Sequence, residues 1–125
     1  MGSWVSVRNR TRGGAPILRA RWCRSFGCRL RGLTFRRSLP TKDGLILVQP
    51  RESRADAAIH MWAVFFPIAA VWLDRALRVV DCRLARPWRI YVPQAPAQYV
   101  VEADPGFLQQ VSVGDALEFV DETLG

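Results

Sequence analysis

The first 42 residues contain no acidic side chain, and the chain of 125 residues holds one histidine, one lysine and three cysteines. Each scarcity excludes something. Cys23, Cys28 and Cys82 form no C-x-x-C pair, and His60 has no second histidine beside it. A structural zinc site needs four ligands in close pairs, so no metal is expected. Reduced, partly buried thiols in a cytoplasmic protein are the reading these cysteines suggest. The first 22 residues are interrupted by arginine and lack an apolar core of the secretory type. No glycine-rich phosphate loop and no serine–histidine–aspartate arrangement appears, so no cofactor is expected and the chain leans away from an enzyme without excluding one.

What is abundant is arginine. Ten arginines and Lys42 give residues 1–42 a balance of +11, whereas residues 43–125 set seven arginines against all eleven acids, a balance of −4. Arginine's planar fork suits carboxylate and phosphate. An anionic partner follows as one reading: nucleic acid, a membrane surface or an acidic protein. The simpler reading packs the basic N-terminal part beside the acidic remainder.

The most apolar stretch is Ala57–Leu73, seventeen residues without an acid or a basic Arg or Lys, fenced by Asp56 and Asp74. As a helix it would span about 26 Å, at the low edge of a bilayer's hydrocarbon core. Pro67 would break it, and Val64, Phe65, Phe66, Ile68, Val71 and Trp72 are of the β-branched or aromatic kind enriched in strands. Two buried strands separated near Pro67 account for length, proline and composition together, and no membrane span is expected.

Around this run, Trp4–Val7 alternates as a strand, and Ile17–Trp22 returns after the turn-forming Asn9–Gly14 with a long, mobile loop. Cys23, Phe26, Leu30 and Leu33 share a helical face, which predicts a short helix ending before Pro40. Leu45–Val48 reads as an apolar strand and Asp74–Ala76 as a tight hairpin turn into Leu77–Leu84. Arg86–Pro96 is mostly loop, with Ile90–Val92 extended. Gln98–Ala103 is a further strand. Asp104-Pro105 opens a short helical segment, with Asp104 as cap and proline at the first position. Ala116–Val120 closes the chain. The pattern predicts a mainly β fold: a compact antiparallel β-sandwich or partly closed barrel with one or two short helices. Its expected division is a basic strand-and-turn segment over 1–16, a single β domain over 17–120 and a tail over 121–125.

Several landmarks also resemble a known family. Leu30–Arg36 (LRGLTFR) resembles the R-G-L-M-F-R signature of the "domain of unknown function 192" family, with Thr34 in place of methionine. Gly44–Leu47 is similar to its G-[ML]-L-F strand, and Met61 and Pro67 sit where the F-W-M-[KR]-N-T-x-x-P-L-D block has its methionine and proline. Leu73-Asp74, Tyr99–Glu102 with Gly106, and Gly114-Asp115 resemble its later blocks. The family's Asn-Thr pair becomes Ala63-Val64, the Asp of P-L-D becomes Ala69, and its tryptophan aligns with His60. The resemblance implies a compact, mainly β domain of bacteria and archaea, and no established reaction or partner.

Candidate ligand-binding residues are Arg31, Arg36, His60, Arg86, Trp88, Tyr91 and Glu102. Arg31 and Arg36 are suited to grip a carboxylate or phosphate, or else to pair with Glu102, which needs a cation if buried. His60 reads as a core residue bonded to a backbone carbonyl, with general base or pH sensor as the alternative. Trp62, Phe65, Phe66 and Trp72 read as core. Trp88 and Tyr91, in a proline-rich loop that also carries Arg86 and Arg89, are the aromatics expected at the surface. A Cys–His nucleophile using Cys82 or Cys28 has no local signature. The reading is a non-enzymatic binding or accessory module for a small anionic ligand or an acidic protein, with nucleic acid at the basic N-terminal part as the second choice and an enzyme of unrecognised type as the third.

Overall fold

The computed structural model describes residues 3–24, 43–62 and 64–122. The helix expected after Ser25, and with it Cys28, Arg31 and Arg36, lies outside them. Nine strands are formed among the described residues: β1 (Ser3–Asn9), β2 (Pro16–Cys23), β3 (Gly44–Ser53), β4 (Ile59–His60), β5 (Ile68–Leu73), β6 (Val79–Ala85), β7 (Ile90–Tyr91), β8 (Ala97–Ala103) and β9 (Leu117–Asp121). Two 3-10 turns, Arg10–Arg12 and Pro105–Gln109, complete the secondary structure.

Seven strands make one sheet in the order β6-β5-β8-β3-β2-β1-β9, and β4 with β7 makes a separate two-stranded ribbon. All pairs are antiparallel except β2 with β3. That parallel pair needs close approach at Gly44, where a Cβ would lie 2.7 Å from Leu18 and 2.9 Å from the Glu102 carbonyl oxygen. The sheet curls until its edges meet. Val79 donates its N–H to the Asp115 carbonyl at 2.9 Å, and Leu117 donates to the Leu77 carbonyl at 2.9 Å. The mainly β, partly closed barrel expected from the sequence is what forms.

Both faces of the sheet are covered, and strand composition follows from that. Residues alternate between faces along a strand. On β8, Val101 and Ala103 join a core with Val7, Ile46, Val71, Phe107 and Leu117. Val100 joins a second core with Cys23, Leu47, Ile59, Met61, Ile68 and Trp72. β5 lies between both cores, so all six of its residues are buried and it shows no polar alternation. Trp72, wholly buried, satisfies its indole N–H on the Ala57 carbonyl at 2.7 Å.

Asn9 stitches the far end together. Its side chain donates to Asp115 Oδ2 at 2.8 Å and the Gln110 carbonyl at 3.0 Å, while its Oδ1 accepts from the Thr11 N–H. Arg12 adds bonds to the Gln109 carbonyl and Ser112 Oγ. The loop after β1, expected to be mobile, is thus tied to residues 109–116 by side-chain bonds that its composition does not reveal.

The run Ala57–Leu73 is only half as expected. Ile68–Leu73 is a buried strand, but the first half contributes the two-residue β4 and a loop through Pro67 that brings Trp62 and Phe65 to the surface. Cys23 also departs from expectation: it is disulfide-bonded, not a reduced thiol, whereas Cys82 is free.

Candidate functional site

The ribbon gives the molecule its most unusual surface. Ile59 pairs with Tyr91 and His60 with Ile90. Ile59, Met61 and Tyr91 turn inward against the second core. His60, Trp62, Trp88 and Ile90 are exposed. Two short backbone bonds extend the pairing: Met61 donates to the Arg89 carbonyl at 2.6 Å and Trp88 donates to the Met61 carbonyl at 2.7 Å. Tyr91 fixes the base of the loop, its hydroxyl accepting the Arg86 N–H at 2.8 Å.

Large apolar side chains normally avoid water, yet Trp62, Phe65 and Trp88 are 54%, 52% and 54% exposed and Ile90 is 64% exposed. Two of the rings meet the third, Trp88. Trp62 and Trp88 have centroids 5.9 Å apart with planes tilted by 51°, and Phe65 meets Trp88 edge-on at 6.0 Å. Trp88 has φ +66°, a left-handed conformation that costs a bulky side chain free energy. Arg86 and Arg89 flank the rings, both exposed and without an ion pair among the described residues. The sequence over 57–73 and 82–101, from which these exposed residues come, contains no acid. Together they form an apolar, aromatic, positively charged face.

Glu102 occupies a different environment. It sits on β8 between Leu45 of β3 and Ala70 of β5, on the face shared with Val100. It is 5% exposed, and its carboxyl has no hydrogen-bond or ion-pair partner among the described residues. Burial raises its pKa from 4.5 to about 7. Cys82 is pushed up to about 11, by burial first and then by the nearby Asp81 and Asp115 charges. A thiol so poorly ionised is no nucleophile at neutral pH.

The candidate residues that are described therefore do not converge on one site. His60, Arg86 and Trp88 share the outer ribbon surface, Tyr91 is directed inward, and Glu102 lies in the sheet. His60 is exposed, which corrects the expectation of a core histidine. Trp62 and Phe65, expected in the core, belong to the surface instead. The signal was present as a period of two, with Ile59 and Met61 inside and His60 and Trp62 outside.

The DUF192 family, described as Uncharacterized ACR, matches residues 7–119. The chain belongs to this family. A UPF0127 protein of Thermococcus kodakarensis is 35% identical over 115 residues, 90% of this chain and 72% of the relative. One from Pyrococcus furiosus is 36% identical over 113 residues, covering 89% and 95%. Among solved structures, a Sinorhizobium meliloti protein provisionally named a transcription regulator superposes with a TM-score of 0.79 at 20% identity, over 95% of this chain and 94% of that one. A Novosphingobium aromaticivorans protein of unknown function gives 0.77 at 22% identity, covering 94% and 84%. These likenesses establish the fold of this DUF192 chain. The sequence relatives are archaeal and the solved ones bacterial, so the family membership does not make the chain bacterial.

Proposed function

We propose that this DUF192 domain is a non-enzymatic binding module, and that its recognition surface is the outer side of the β4–β7 ribbon. One observation carries the reading: Trp62 and Phe65 stand exposed in ring contact with the exposed Trp88, close in the chain to Arg86 and Arg89 and within stretches free of acid. A strained backbone at Trp88 supports it, because strain in a fold persists where something other than stability retains it. The partner is anionic, and it offers apolar or aromatic groups to the rings. The basic N-terminal strands supply a less suitable surface. Arg12 bridges Asp115 at 3.4 Å, and the Arg19 and Arg21 guanidinium carbons stack on Trp4 at 4.1 and 5.1 Å.

The test is direct binding of the full chain to three anionic probes: polyglutamate, a single-stranded RNA oligomer and phosphatidylglycerol vesicles. At least one binds at low salt, and Trp62→Ala with Arg86→Ala weakens it by about tenfold or more. Failure of all three ends this reading.

A further inference from the structure

We infer that the outer ribbon surface is an interfacial anchor, which seats the domain on an anionic lipid bilayer without crossing it. The inference rests on the reading above and names its partner. Trp62, Phe65, Trp88 and Ile90 are exposed on or beside the ribbon, Trp62 and Phe65 in ring contact with Trp88, and the exposed Arg86 and Arg89 lie two residues before and one after Trp88 in the chain. Tryptophan and phenylalanine suit the boundary between headgroups and acyl chains, where an apolar body meets a polar layer. Arginines beside such a wedge meet lipid phosphate, and each contributes attraction to an anionic surface.

Two features favour a bilayer over a nucleic acid. The rings are inclined to each other by 51° and 71°, so they are not the parallel set on which successive bases would stack. Ile90, the most exposed of the four, is aliphatic, as is the neighbouring Val92, 42% exposed; neither can stack on a base. The charge beside the rings comes from two exposed arginines, Arg86 and Arg89, next to Trp88 in the chain. The mount is rigid. Met61 and Trp88 lock the two loops by backbone bonds, and Ile59, Met61 and Tyr91 root the ribbon in the second core. Insertion therefore orders little that is not already ordered. The net charge of +7 reinforces attraction to an anionic surface at longer range. No helix among the described residues is long and apolar enough to span a membrane.

The experiment is co-sedimentation of the full chain with vesicles of phosphatidylcholine alone and of phosphatidylcholine with phosphatidylglycerol, with an RNA oligomer assayed in parallel. The expected result is binding to the mixed vesicles, weakened by salt, with a blue shift in tryptophan emission. Trp88→Gly removes a ring and relieves the left-handed backbone, so the fold survives. That variant lowers partitioning by about tenfold, and Arg86→Ala and Arg89→Ala lower it by about fivefold each. Circular dichroism confirms that each variant is folded. Absence of vesicle binding, or binding unchanged by Trp88→Gly and Trp62→Ala, overturns the inference. Equal binding to phosphatidylcholine alone overturns its anionic requirement. RNA binding without vesicle binding refutes the bilayer while leaving the anion-binding surface standing, and failure of every probe removes both.

Discussion

Ionising a carboxyl inside a sheet costs free energy unless a cation or several N–H donors repay it. Glu102 has only burial acting on it, and its pKa stands at about 7 against an ordinary 4.5. Between those values the folded state holds a proton that the unfolded chain has released. Stability is therefore fully present below about 4.5 and falls as pH rises toward 7, by about 3 kcal/mol in all. Urea denaturation at about pH 5 and about pH 8 should show the chain weaker at the higher value. Glu102→Gln keeps the shape and removes the titration, so most of that difference should vanish in the variant. An unchanged pH dependence would mean that the carboxyl is stabilised as an anion. Cys82 gives a companion expectation. With its thiol pushed up to about 11, alkylation by iodoacetamide at neutral pH should be far slower than for an ordinary exposed cysteine.

Elements were legible in the sequence to different degrees, and the differences have physical causes. The β5–β6 hairpin was readable because Asp74 is a turn residue. Its Oδ1 accepts from the Ala76 and Arg78 N–H groups at 2.9 and 3.0 Å, a bond within one short segment. Asp104 was readable for the same reason, accepting from the Gly106 N–H at 3.0 Å. The ribbon was not. Its two short strands come from either side of β5 and β6, and nothing local says that Trp62 will meet Trp88. Hydrophobicity alone therefore assigned Trp62 and Phe65 to the core. The tie between the β1 loop and residues 109–116 was likewise hidden, since Asn9 and Asp115 are 106 residues apart. That tie gives a prediction. Asn9→Ala removes donors from a buried carboxylate and from the Gln110 carbonyl, so it should destabilise the fold by about 2–3 kcal/mol. Equilibrium urea unfolding measures the loss, and a change under about 0.5 kcal/mol would show that water replaces the side chain without cost.

At the scale of the whole molecule, the curl of the sheet makes the two ends of the chain interdependent. β1 pairs with β2 on one side and β9 on the other, so the first strand is an interior one and the last forms an edge. Val5 and Val7 enter the same core as Leu117, Val79 and Phe107. The sequence pattern sets residues 1–16 apart as a basic segment before a domain over 17–120, because charge changes there and turn residues intervene. Register, which joins distant strands, is what charge and turns do not encode. A chain beginning at Ile17 tests the two descriptions. It loses β1, leaves β9 without its paired strand, removes Val5 and Val7 from the core, and deprives Asp115 of Asn9 and Arg12. The N–H and C=O groups along β2 that β1 satisfies become an open edge, which invites aggregation. We expect the shortened chain to show no cooperative urea transition and to associate in solution. A cooperative transition near that of the full chain would instead make 17–120 an autonomous domain, with β1 an addition to a barrel that is stable without it.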